Sequence, residues 1–201
     1  MTPIKEMLSS FEERRKYTST VAWAIPSDEA IKSIQTFAGG DTILEIGAGL
    51  GYWAMLLKEQ GVNIIPTDNK EMCWKHSATP TYIPVIRKRH LKALSSYPEV
   101  PVLFLCWPPY NTPMADEALN AFKGNKVIYI GEDEGGCNAD GNFFNLLEEK
   151  WKLNKCVFIP QWYGLHDRMF LYERIASKAA SVKPKQMPLE TTKTLSRLIE
   201  F

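Results

Sequence analysis

Short runs of β-branched and apolar residues alternate along the middle of the chain with segments whose apolar positions recur at helical spacing, and that alternation predicts an α/β sheet. Thr42–Ile46 reads as the first strand and flows into the glycine-rich stretch Gly47–Gly51. A helix beginning near Gly51 carries Trp53, Leu56 and Leu57 and stops at Gly61. Asn63–Thr67 is the second strand, ending at Asp68, and Tyr82–Ile86 a short third one that Pro84 confines to an edge. Pro101–Cys106 is almost wholly apolar, as a strand covered on both faces is. Met114, Ala118, Leu119 and Phe122 keep helical spacing up to Gly124. Lys126–Ile130 is another buried strand, followed by a glycine-rich loop, Gly131–Gly141. Phe143, Phe144, Leu147 and Trp151 mark a further helix. The last two strands, Asn154–Ile159 and Arg168–Ile175, flank a loop holding Trp162, Gly164, His166 and Asp167.

Two appendages flank this unit, which spans residues 41–176. Residues 1–40 contain a helix from Ser27 to Ala38, with Ser27 as N-cap and Asp28 and Glu29 in the first turn. Before it, Tyr17, Trp23, Ile25 and Pro26 form an aromatic-rich segment that either folds over a pocket as a lid or packs the helix on the sheet. Residues 177–201 are basic and poor in apolar positions until Leu195, and read as a mobile extension.

Composition narrows the class. A chain of 201 residues is one domain with a substantial core. Its 24 basic and 23 acidic residues leave a net charge of +1, and 45% hydrophobic content fits an ordinary globular protein. A collagen-like, disordered or wholly cationic chain is excluded. No apolar run approaches the roughly 20 residues of a membrane span, and no leader-like apolar stretch stands in the first thirty positions. Cys73, Cys106, Cys137 and Cys156 are scattered singly, which fits reduced thiols in a cytoplasmic protein. Cys73 and His76 have metal-like spacing without a second pair beside them in sequence, so no metal is expected.

The chemistry concentrates in Ile43-Leu44-Glu45-Ile46-Gly47-Ala48-Gly49-Leu50-Gly51, with Asp68 at the end of the next strand. Glycines let the backbone turn sharply and a ligand approach it closely. An acid about 20 positions on is placed to hold a ribose by both hydroxyls. Dinucleotide sites use a different glycine spacing, and the acid at Glu45 would repel a pyrophosphate but suits an ammonium group. A ligand-free glycine turn and a nicotinamide dinucleotide site are the alternatives.

This stretch resembles motif I of the class I S-adenosylmethionine-dependent methyltransferases, in a poorly characterised branch. The resemblance spans about residues 40–175. It implies a Rossmann-like seven-stranded, mostly parallel sheet of order 3-2-1-4-5-7-6, with the last strand antiparallel and helices on both faces. It also implies S-adenosylmethionine as cofactor, held by Glu45, Gly47, Ala48, Gly49, Gly51, Asp68 and Asn69, and by Cys106, Trp107 and Pro108 at the end of the fourth strand.

Cys106-Trp107-Pro108-Pro109-Tyr110 is similar to motif IV of methyltransferases acting on amino groups, where a polar side chain and a proline carbonyl accept hydrogen bonds from the target nitrogen. Trp107 departs from that pattern, because an indole only donates. Trp107, Tyr110 and Trp162 are the candidate substrate contacts, and Tyr110, Glu132 and His166 the candidate catalytic residues. Glu132 is equally a solvated loop acid, and His166 a turn histidine. The basic run Arg87-Lys88-Arg89-His90 with Lys92 either contacts phosphates or is a solvated loop.

The expected function is methyl transfer to a small or planar substrate, with no membrane partner. A nucleic-acid or protein substrate, and a non-catalytic partner-binding protein of the same fold, are the alternatives.

Overall fold

The computed structural model describes residues 3–71 and 80–176. The Cys73–His76 pair and the extension at 177–201 lie outside the described residues. Seven strands form one sheet: β1 (Ile43–Ile46), β2 (Ile64–Asp68), β3 (Ile86–Arg87), β4 (Val102–Cys106), β5 (Lys126–Gly131), β6 (Trp151–Phe158) and β7 (Arg168–Arg174). Their order is β3-β2-β1-β4-β5-β7-β6, the order that the family resemblance implies. β1 pairs in parallel with both β2 and β4, while β7 runs antiparallel to β5 and β6.

The helices are α1 (Pro3–Thr20), α2 (Asp28–Ala38), α3 (Tyr52–Glu59), α4 (His90–Ser96), α5 (Met114–Ala121) and α6 (Gly141–Lys150). Alternate residues of each central strand feed two apolar layers. Ile43, Phe104 and Ile128 join one layer with Ile34 of α2 and Trp53 of α3. Leu44, Leu103 and Tyr129 join the other with Leu119 of α5 and Phe143 of α6. Burial on both faces is why β4 is apolar at every position.

Local chemistry sets the boundaries. Ser27 caps α2, its hydroxyl accepting from the Ala30 N–H at 3.2 Å, and Gly39 closes the helix in the left-handed conformation. Asp140 caps α6 in the same way through the Phe143 N–H.

Three elements differ from the expectation. β3 shrinks to Ile86–Arg87, because the stretch before it tucks beneath the glycine loop, with the Tyr82 N–H donating to the Leu50 carbonyl. Trp151 starts β6 instead of ending α6; its ring stacks on Phe122 and lies beneath the Arg174 guanidinium. The basic run 87–90 leads into α4, and two of its members are paired, Arg89 with Glu71 and His90 with Glu117. α1 has no apolar stripe that would reveal it as a helix, and its aromatic Tyr17 acts at the site below.

Candidate functional site

The carboxyl ends of β1, β2, β4 and β5 meet the β6–β7 loop at one edge of the sheet, where an open α/β fold places its ligands. The glycine loop leaves β1 there. Gly49 has φ 55°, and a Cβ added to it would stand in open space, so the loop presents bare backbone to a ligand. Gly51 has φ 77°, and a Cβ there would come within 2.9 Å of Val85. That close approach lets α3 start early.

Asp68, at the end of β2, ties the loop down. Its carboxylate accepts the Gly49 N–H at 2.9 Å and the Lys70 N–H at 2.6 Å. Lys70 then reaches back, its Nζ donating to the Gly49 carbonyl at 2.9 Å. Ala48 donates to the Thr67 carbonyl, and the Asn69 side chain accepts the Glu71 N–H.

Glu45 sits beneath this loop, 2% exposed, and its Oε2 has no hydrogen-bond partner among the described residues. Burial, reinforced by the Asp68 charge, pushes its carboxyl from the usual 4.5 to about 8. A buried acceptor without a donor is costly unless a ligand supplies one.

The β4 end is built from side chains distant in sequence. Trp107 has φ 53°, a conformation that few residues other than glycine adopt. Its backbone N–H stays on the Ile130 carbonyl at 2.8 Å, and its indole N–H donates to Asp167 Oδ2 at 3.0 Å. Its ring stacks on Trp23 at 5.4 Å, and Arg14 of α1 lies over Trp23 in turn. The Pro108 carbonyl accepts from both Asn138 Nδ2 and the Ala139 N–H, each at 3.3 Å. Tyr110 projects outward, 67% exposed.

Asp167 is 1% exposed, and its Oδ1 has no partner among the described residues. Burial raises its carboxyl, the Trp107 hydrogen bond opposing that shift. Trp162 in the same loop packs against Tyr17 at 5.6 Å, and its indole Nε1 is likewise buried without a partner. Burial pushes the Cys106 thiol well up, with the charges of Glu45 and Asp167 adding to the effect. Burial also pushes the Tyr17 phenol up to about 12, with contributions from Tyr52, Tyr82 and Cys106. Tyr82 holds the end of α1 by donating its hydroxyl to the Thr20 carbonyl.

Glu132, just beyond β5, has both carboxylate oxygens occupied. Oε2 accepts the Cys137 N–H at 2.8 Å and Oε1 the His166 N–H at 2.9 Å. Burial alone would raise its carboxyl, but these bonds outweigh burial and hold it below the ordinary value. The His166 imidazole lies outside, with 81% of its side chain exposed and Nδ1 3.8 Å from Glu132.

No family model matches this chain, and no curated protein matches it in sequence. Solved structures do. The chain is similar to the 1,6-didemethyltoxoflavin-N1-methyltransferase of Burkholderia thailandensis, solved with 1,6-didemethyltoxoflavin and S-adenosylhomocysteine; the TM-score is 0.53 and the identity 13% over 85% of this chain and 86% of that one. It is also similar to a protein of Pyrococcus horikoshii OT3, with a TM-score of 0.51 and 11% identity over 82% of this chain and 99% of the other. The fold is the class I methyltransferase fold.

Within that fold the structure brings together Glu45, the glycine loop, Asp68, Cys106, Trp107 and Trp162 at one edge of the sheet. It leaves Tyr110 and the His166 ring exposed, and engages the half-buried Asn69 side chain with the Glu71 N–H. Asp167, Tyr17 and Trp23 join the site, although the sequence marks Asp167 only as a member of the β6–β7 loop and the two aromatics only as a segment that covers a pocket or packs a helix. The sequence signal that marks Asp167 is an acid at the start of a strand that is otherwise apolar at its core positions.

Proposed function

We propose that the chain is an S-adenosylmethionine-dependent methyltransferase acting on a small, planar substrate. The observation that carries this reading is Glu45 Oε2, buried and unpartnered behind a glycine loop that exposes its backbone. A carboxyl in that position suits the ammonium of an amino-acid ligand and disfavours a pyrophosphate. Asp68 at the end of β2 suits the ribose hydroxyls, because a carboxylate oxygen accepts more than one hydrogen bond. These residues fit the cofactor.

When bound, S-adenosylmethionine supplies a methyl group that is transferred in line from its sulfonium to a nucleophile. The protein's task is then alignment and exclusion of water. Glu45 would hold the cofactor's ammonium and Asp68 its ribose hydroxyls, with Gly47, Ala48, Gly49 and Gly51 lining the loop side and Cys106, Trp107 and Pro108 the β4 side. The segment 1–40 acts as a lid: Tyr17 and Trp23 cover Trp162 and Trp107 with aromatic rings. Glu132 acts through others, since its two oxygens lock the loop after β5 to the β6–β7 loop and so set where Asp167 stands.

A nucleic-acid substrate is the weaker reading, because Arg89 and His90 of the basic run are engaged by Glu71 and Glu117. Among the described residues no helix is long and apolar enough to cross a membrane. Free thiols at Cys106, Cys137 and Cys156 fit a reducing cytoplasmic setting.

Calorimetric titration with S-adenosylhomocysteine tests the cofactor assignment. The wild type should bind with a Kd of about micromolar order, and Asp68→Ala should weaken binding by roughly 30-fold or more, as loss of charge-assisted hydrogen bonds does. A folded wild type that binds no S-adenosylhomocysteine removes the reading.

A further inference from the structure

The turn after β4 lacks what its sequence resemblance leads one to expect, and the structure shows why the lack is complete. The side chain at the first position is the Trp107 indole, a donor. The Pro108 carbonyl is also taken, with one hydrogen bond from Asn138 and one from Ala139 filling both of its lone pairs. Neither group can receive a hydrogen bond from a substrate.

An acceptor is nevertheless present beside them. Trp107 spends its indole N–H on Asp167 Oδ2, and this fixes the carboxylate so that Oδ1 remains buried and unpartnered among the described residues. Asp167 is 1% exposed, so water does not compensate it freely. Glu132 and Gln161 hold its loop from two sides, the first through the His166 N–H and the second by donating from Nε2 to the Asp167 carbonyl at 2.8 Å. The Trp107 indole that holds Asp167 follows directly on β4, the strand paired with β1, so Asp167 stands at the edge where the glycine loop leaves β1. The surrounding walls are the Trp23–Trp107 stack and the Tyr17–Trp162 pair. In that second pair the Trp162 indole N–H is also buried and unmatched.

We propose that Asp167 is the substrate's hydrogen-bond acceptor, supplied by the β6–β7 loop in place of the turn after β4. The substrate is a planar heteroaromatic that carries a ring or exocyclic N–H, with an acceptor atom of its own for Trp162. Trp107 then serves as a positioning residue that aims the carboxylate. This assignment rests on the methyl-transfer reading for the identity of the site, and it adds the class of compound that the site takes.

Indazole is a suitable probe, since its N–H donor and ring-nitrogen acceptor are adjacent, and N-methylindazole carries a methyl group in place of the donor hydrogen. Ligand-observed NMR titration of the full chain, with S-adenosylhomocysteine present, should show saturable indazole binding in the millimolar range expected for so small a ligand. Binding should fall by at least about tenfold in Asp167→Asn, and by a similar factor when N-methylindazole replaces indazole on the wild type. The asparagine retains an oxygen for the Trp107 indole, so S-adenosylhomocysteine affinity should change by less than about twofold. Equal binding of the two indazoles, equal indazole binding by wild type and Asp167→Asn, or no saturable binding at millimolar concentration overturns the proposal. If Asp167→Asn does not fold, the two indazoles on the wild type still decide it. Loss of S-adenosylhomocysteine binding by the wild type overturns the cofactor assignment instead, and the indazole comparison without cofactor then judges Asp167 separately.

Discussion

Glu132 and Asp167 stand at the same end of the sheet, both buried, and they are wired in opposite ways. Glu132 has a backbone N–H on each oxygen and a carboxyl held below its ordinary value. Asp167 has one indole donor, one oxygen without a partner among the described residues, and a carboxyl raised by burial. Glu45 shares the second condition. A buried acid whose hydrogen bonds are complete belongs to the architecture, whereas one left incomplete at the mouth of a ligand-binding edge is held ready for something that arrives later. On the proposed reading the β5 side of the site is scaffold, and the β1 and β4 sides are receptive.

The sharpest way to break this contrast is to remove Glu132. Glu132→Ala orphans the Cys137 and His166 N–H groups, and should cost about 3 kcal/mol, lowering Tm by roughly 10 °C. Glu132→Gln keeps one acceptor oxygen and should lose about half as much. The pH dependence has a definite sign. Because the folded-state pKa lies below the unfolded one, the stability from Glu132 is present above the ordinary value of 4.5 and is lost as pH falls through the folded value. Thermal unfolding of both variants across acid pH checks this. An unchanged Tm in Glu132→Ala would place Glu132 with the receptive acids.

A smaller effect is expected from Trp107→Phe, which keeps a ring against Trp23 and removes only the donor to Asp167. The buried carboxylate then loses its side-chain donor, at a cost of about 2 kcal/mol near neutral pH, and keeps only its own backbone N–H and the Arg14 charge in its favour. Its pKa rises further. The penalty should therefore shrink as pH falls and the carboxyl takes up its proton. Denaturant unfolding at neutral and at mildly acid pH measures the difference. A penalty that does not vary with pH would mean that the indole contributes packing and not a hydrogen bond to a charge.

How far each side of the site is legible in the sequence follows from the same division. The receptive side at β1 is written locally: Glu45, Gly47, Gly49 and Gly51 fall within one strand and its turn, and Asp68 closes the next strand. The largely apolar Pro101–Cys106 and Lys126–Ile130 runs mark strands covered on both faces, while the order of the seven strands comes only from the family resemblance. The β4 side is written across the chain. Trp107 and Asp167 are 60 positions apart, and no local pattern announces that an indole and a carboxylate will meet. Glu132 stands in a run of three acids, and only the turn that brings the Cys137 N–H back to it separates it from its neighbours. α1 escapes detection because its apolar residues mark no continuous face. Trp151 keeps helical spacing with Leu147 yet serves the strand, since Phe122 and Arg174 offer its ring a better bed there.

The smallest expected effect sharpens the comparison most, because it separates readiness for a ligand from stability in one side chain. Glu45 has its carboxyl raised from 4.5 to about 8, so the folded protein binds its proton more tightly than the unfolded chain does. The stability it contributes is whole below about 4.5, declines as pH rises through that window and is gone above about 8. Glu45→Gln abolishes this slope and should make the ligand-free protein more stable than wild type by about 1 kcal/mol at mildly alkaline pH. The same change should weaken S-adenosylhomocysteine binding about tenfold, because a neutral amide cannot answer an ammonium as a carboxylate does. Wild-type binding should release close to one proton near neutral pH, as the arriving ammonium forces Glu45 to ionise, and affinity should rise with pH up to about 8. Calorimetry in two buffers of different ionisation enthalpy reads that proton directly. If no proton is released and Glu45→Gln binds as wild type does, the empty oxygen of Glu45 is a cost of the fold and not a socket for the cofactor.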